Sequence, residues 1–124
     1  MLIHDDWFMR QVESIAAALA RLLLGKEVSL RSDAPEVTAR EQGDLLLSLI
    51  REGKICAAED LLFEKAGPGE DAWLAAGLRM YRELALLPEK DLVRAGFSRE
   101  EILQGLKDLC ALYGHSELFD LVER

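Results

Sequence analysis

Apolar residues recur at intervals of three and four along nearly the whole chain, and no stretch shows the two-residue alternation of a half-buried strand. The first such run opens at Asp6, a good N-cap residue, and ends at Gly25. Within it Phe8, Val12, Ile15, Leu19 and Leu22 form one continuous stripe, with Met9, Ala16, Ala20 and Leu23 beside it. Arg10, Ser14, Ala17 and Arg21 leave only a narrow, mostly polar back. A helix with two adjacent apolar stripes needs neighbours on two sides, so it is expected either at the centre of the fold or at an interface.

Residues 27–35 read as a connector, since Ser29, Ser32 and Asp33 ahead of Pro35 are poor helix material. A second helix is expected from Glu36 or Thr38 to Glu52, stopped by Gly53, and a third from Lys54 to Lys65 with Ile55, Ala58, Leu61 and Leu62 inward. Gly67-Pro68-Gly69 is the strongest break in the chain. Beyond it a fourth helix over 71–87 aligns Trp73, Ala76, Met80, Leu84 and Leu87 and stops before Pro88. Residues 89–95 predict a short helix closed by Gly96. Ser98-Arg99-Glu100-Glu101 has the form of a capping box and opens a helix through Ile102, Leu106, Leu109 and Tyr113. Ser116 can cap a last short helix carrying Leu118, Phe119 and Val122. The expected fold is all-α: six to seven helices in an irregular bundle. One domain spans 1–124, with an N-terminal helix (1–26), a helical hairpin (36–65) and C-terminal helices (71–124).

The hairpin stretch 46–64, LLSLIREGKICAAEDLLFE, invites comparison with a tetratricopeptide repeat, a helix–turn–helix of about 34 residues with small residues where its helices touch. Leu45 and Leu49 fall where large packing residues belong, Gly53 takes the turn, Ala58 the close contact, and Leu62 the large residue one turn later. A repeat array needs about three such units. Advancing by the repeat length sets Leu92 against Ala58 and Leu87 against Gly53, which breaks the pattern. The chain is therefore expected to hold one tetratricopeptide-like hairpin, not an array. The blocks DWFMRQVE (6–13), LLLGK (22–26) and 46–64 together resemble a family of short bacterial helical proteins of unknown function with tetratricopeptide-like organisation. That resemblance covers roughly the first half of the chain, supports the helical fold, and brings no activity or catalytic residue with it.

Composition narrows the functional classes. At 124 residues, half of them hydrophobic, the chain has the size of one domain and is too apolar for disorder. Its net charge of −8 and lack of a dense Lys/Arg cluster argue against nucleic acid and against an anionic membrane as partners. The longest apolar run, 15–24, is interrupted by Arg21 and is about half of a membrane span. MLIHDDW carries acid where a secretory leader needs base, so a cytoplasmic location is expected. Cys56 and Cys110, far apart and each within a leucine-rich helical pattern, read as buried thiols. With no CxxC and only His4 and His115, the spacing for a zinc site is missing.

Candidate chemistry is thin. His4, Asp5 and Asp6 could begin a metal site, but acids at a helix N-terminus explain the aspartates. Glu59-Asp60 and Glu100-Glu101 are adjacent on helices and so point about 100° apart. Cys56 or Cys110 with His115 has the residue types of a nucleophile and its base, yet for the nearer Cys110 Gly114 intervenes and the cysteine follows the buried period. Gly25-Lys26-Glu27 lacks the glycine loop of a phosphate cradle. Trp7, Phe63, Trp73 and Tyr81 read as core or, alternatively, as the lining of a small cavity.

No catalytic, cofactor-binding or metal-ligating residue is assigned, and no cofactor is expected. The expectation is a non-catalytic module for protein–protein interaction or self-association, forming a homo-oligomer through Met9, Ala16, Ala20 and Leu23. The alternative is a small-molecule binder or enzyme with a cavity among the helices. A gel-shift titration at physiological salt should show no retention of DNA or RNA; a tight, salt-sensitive shift would overturn the charge argument.

Overall fold

The computed structural model describes residues 5–24 and 34–115, with side chains over 7–19, 21 and 38–115. Six helices make up the described residues, with no strand among them: α1 (Asp5–Leu24), α2 (Ala34–Arg51), α3 (Ile55–Lys65), α4 (Asp71–Leu86), α5 (Glu89–Arg94) and α6 (Arg99–Leu112). None of these is long and apolar enough to cross a membrane. Of the connector expected over 27–35, residues 27–33 lie outside the described residues and residues 34 and 35 open α2; the last short helix expected from Ser116 also lies outside them.

Each boundary has a local cause. Gly53 adopts φ +78, which only glycine does without strain. Its N–H donates to the Ile50 carbonyl, and that of Lys54 to the Leu49 carbonyl, each at 2.9 Å; these two bonds satisfy carbonyls that the end of α2 leaves open. α4 stops because Leu87, ahead of Pro88, takes the extended conformation that a proline imposes on its predecessor. Ser98 caps α6 as its pattern predicts, the Glu101 N–H donating to Ser98 Oγ at 3.2 Å. α2 begins at Ala34, ahead of the expected Glu36 or Thr38, because proline is well tolerated in the first turn of a helix.

α4 is the hub. It packs most extensively against α2, then α1 and α6, with α3 touching it more locally. Leu74, Ala76, Gly77, Leu78, Met80, Tyr81, Leu84 and Ala85 bury most of its circumference. The register follows from named pairs. Tyr81 and Gly77 of α4 meet Gly105 and Leu109 of α6, so these helices are antiparallel. Leu62 and Glu59 of α3 meet Gly77 and Tyr81, again antiparallel. Arg82 of α4 pairs with Glu13 of α1, Nε to Oε1 at 2.7 Å, while Arg99 of α6 lies 5.3 Å from the ring centre of Phe8. α1 therefore runs parallel to α6 and antiparallel to α4. Arg79 reaches the other way, to Asp44 of α2 at 2.9 Å. Both arginine pairs are half-exposed, worth about 0–1 kcal/mol each, and serve register more than stability.

Phe8, Val12, Ile15 and Leu19 are wholly buried in one core with the inward faces of the other helices, as their spacing predicts. Four expectations are corrected. The central helix is α4, not α1, because α1 has α4 and α6 on two adjacent sides and an exposed back at Arg10, Ser14, Ala17 and Arg21. Leu45 is 49% exposed and makes no hairpin core; Leu46, one step around the helix, is buried instead, because α2 turns its apolar stripe chiefly toward α4. Cys56 is exposed, since the buried positions of α3 are Ile55, Ala58 and Leu62, and Cys56 points about 100° from Ile55. Trp7 is 37% exposed, on the flank of α1 next to its core stripe.

Ala58 and Leu62 are fully buried and Leu49 packs against the core, as expected for the hairpin. Ala58→Leu should overpack that contact and cost about 1–3 kcal/mol. The check is the urea midpoint, which should fall with an unchanged slope.

Candidate functional site

The polar side chains that converge inside the bundle are Glu59 of α3 and Tyr81 of α4. Tyr81 is fully buried, and its hydroxyl donates to Glu59 Oε2 at 2.5 Å. Its ring passes over Gly105 of α6: a Cβ built there would clash with the hydroxyl oxygen and with Cζ. The phenol reaches the carboxylate because α6 has no side chain at that point. Glu101 and Asp108 of α6 and Asp60 of α3 act on Glu59 as like charges. Gln104 Nε2 donates to Asp108 Oδ1 at 2.9 Å.

Burial raises the Glu59 carboxyl above the ordinary carboxylate value. The Tyr81 hydrogen bond pulls the other way, and Glu101, Asp60 and Asp108 add to the rise. The Tyr81 hydroxyl is itself pushed up, first by burial and then by its bond to Glu59, so it remains a donor at all ordinary pH. Such a pair can hold or release one proton at Glu59.

A second tyrosine ties down a loop. Tyr113 Oη accepts from the Gly67 N–H at 3.2 Å and donates to the Glu70 carbonyl at 2.7 Å, clasping the α3–α4 connection onto the end of α6. Burial raises its hydroxyl as well.

The other candidates are dispersed. Met9 is half-buried against the core, and Ala16 is covered by the chain's own helices, which corrects its assignment to a surface for a partner. Glu13, between Met9 and Ala16 on the same side of α1, is paired with Arg82 of α4. The side chains of Ala20 and Leu23, and all of His4, lie outside the described residues. Among the described residues no group of three His, Cys, Asp or Glu side chains is placed to hold a metal ion. Cys110 is buried and His115 half-buried, joined by a backbone bond from the His115 N–H to the Cys110 carbonyl at 2.8 Å. Phe63 and Trp73 are half-buried against the core. Sequence reasoning placed Glu59 beside Asp60 and Tyr81 in the core without joining them; the signal was Gly105, a glycine inside a helical pattern that the capping box had already fixed.

Residues 2–114 match DUF6483, a family of unknown function. No curated protein and no solved structure matches the chain.

Gly105→Ala would drive a methyl into the Tyr81 ring. Alanine is the better helix former by about 1 kcal/mol, but displacing a buried ring costs about 1–3 kcal/mol, and the backbone-like closeness of this contact puts the balance on the side of loss. Thermal unfolding should show a lowered midpoint, and Tyr81→Phe in the same background should recover little of it because the ring remains.

Proposed function

The chain belongs to DUF6483, a family of unknown function, and we propose from its own geometry that it is a non-catalytic helical module that binds protein, a second copy of itself included. One observation carries this reading: of the four large apolar side chains exposed among the described residues, three fall toward one end of the bundle, while Leu45 lies beside the Arg79–Asp44 pair. Arg82 of α4 faces Glu13 of α1, and a helix rises about 1.5 Å per residue. Leu86 lies one turn beyond that pair, and Trp7 lies in the same direction because α1 is antiparallel to α4. α5 follows directly after Pro88 and leads back to α6, whose first residue covers Phe8. Trp7 (37% exposed), Leu86 (64%) and Val93 (66%) thus share that end. Large apolar side chains left together in water mark interaction sites more often than scattered ones do.

A tetratricopeptide-like organisation of the α2–α3 hairpin, a cytoplasmic location and the absence of nucleic-acid and membrane partners belong to the same reading. The alternative, a small-molecule binder or enzyme, draws on the Glu59–Tyr81 pair, whose half-buried carboxyl holds its proton more tightly than usual. Both groups, however, already satisfy one another.

At tens of micromolar the chain should scatter light as a dimer or larger. The double variant Leu86→Glu, Val93→Glu should return it to monomer with unchanged circular dichroism, since both positions are exposed. A wild-type mass of one chain removes self-association. Equal capture of cell protein by wild type and double variant removes this end as the binding surface.

A further inference from the structure

Leu86 closes α4 and Val93 lies in α5, with Pro88 between them. They are the two most exposed large apolar side chains among the described residues. Three chain steps lead from Leu86 to Glu89 and four helical steps from there to Val93. Extended and helical rises therefore put their Cα atoms no more than about 17 Å apart. Both fit on one partner face of about 800 Å², roughly 30 Å across. The corner is held from behind. Leu84 and Leu92 are fully buried, and Ala85 and Phe97 nearly so. The Leu87 N–H donates to the Leu84 carbonyl at 3.1 Å and the Phe97 N–H to the Leu92 carbonyl at 2.9 Å. A partner docking there meets a backbone already ordered, so little conformational entropy is lost.

Charge says what that partner is. Residues 82–94 carry three basic side chains, Arg82, Lys90 and Arg94, and three acidic ones, Glu83, Glu89 and Asp91. The segment is neutral in a chain of net charge −8, so the excess acid belongs to other segments. A strongly acidic or basic partner finds no opposite field at this corner. A second copy needs none, because it brings the same neutral apolar corner. Leu45 stands apart on α2, next to the Asp44 that pairs with Arg79. A lone leucine is a poor receiver for the Leu86–Val93 pair in a head-to-tail contact. Resting on the reading above that this end binds protein, we infer that its partner is a second copy and that the contact is two-fold, the α4–α5 corner of one chain against the α4–α5 corner of the other. Such a contact uses the same patch on both copies and closes at two chains.

The test mixes two variants of opposite charge, Leu86→Glu with Val93→Glu, and Leu86→Lys with Val93→Lys. Wild type should scatter light as two chains at tens of micromolar, and each variant alone as one, because like charges then meet across the axis. The equimolar mixture at low ionic strength should return to two chains and fall apart as salt is added. A mixture that stays monomeric overturns the two-fold contact, and so does a wild-type mass above two chains. A monomeric wild type whose capture of cell protein fails in both variants overturns this inference alone. A monomeric wild type whose capture is unchanged in them overturns the underlying reading with it. Should a variant fail to fold, methyl NMR of the wild-type chain decides. Leu86 and Val93 signals should shift with protein concentration; shifts at Leu45 in their place, or none, overturn the inference.

Discussion

The close approach of four helices to α4 is the constraint on which the rest of the fold depends. A helix buried over most of its circumference cannot be covered if every neighbour carries a side chain at the point of contact. Three glycines inside helices mark where the approach is closest. Gly43 of α2 lies under the Arg79 side chain, Gly77 of α4 under the Leu62 methyls, and Gly105 of α6 under the Tyr81 ring. Each glycine sacrifices about 1 kcal/mol of helix propensity relative to alanine. The return is the dense contact of large side chains against bare backbone, the kind of packing that protein interiors maintain throughout. Ala16, Ala58 and Ala76 extend the same device around the hub.

Polar groups in this fold divide into two kinds. Arg79–Asp44 and Arg82–Glu13 sit at the surface, where water screens them, and they align helices already held by apolar contact. The two buried tyrosines differ because their hydroxyls leave water on folding and must find partners. Tyr113 finds backbone groups, which carry no charge and make a clasp whose strength pH does not touch while the phenol keeps its proton. Tyr81 finds a carboxylate, that of Glu59. α3 is thus held by uncharged bonds at its ends and by a titratable one at its middle.

Helix number and type were legible in the sequence because the apolar period, the glycine and proline stops and the Ser98 cap all act locally and agree. Which helix stands at the centre was not. Two apolar stripes stand out in α1 and one in α4, and periodicity cannot say that α1 keeps its back to water while α4 is packed against α1, α2, α3 and α6. Leu45 was misplaced for a related reason: a run of three leucines fixes an apolar segment but leaves its rotation open by one step, and only the position of α4 selects Leu46. The Glu59–Tyr81 pair escaped because its residues lie on different helices, 22 positions apart. Gly105 was visible, but a lone glycine in a helix does not name the ring that will cross it. Met9 and Ala16 read correctly as apolar; what the pattern could not supply was that the chain's own core covers them.

Charge and exposed apolar surface are unevenly divided over the molecule, and this bears on how a module with net charge −8 could associate. Glu59, Asp60, Glu101 and Asp108 concentrate negative charge where α3 meets α6. Residues 79–99, which include Leu86 and Val93, carry Arg79, Arg82, Lys90, Arg94 and Arg99 against Glu83, Glu89 and Asp91. Under the proposed reading, two copies meeting through Leu86 and Val93 bring together a segment with more basic than acidic side chains, so apolar burial there is opposed by little repulsion from that segment. Copies meeting through the α3–α6 face would instead crowd carboxylates that already repel within one chain. Long-range repulsion between the chains is screened within about 8 Å at physiological ionic strength. Under the proposed reading, added salt therefore favours association, the opposite of the response of a contact built on ion pairs.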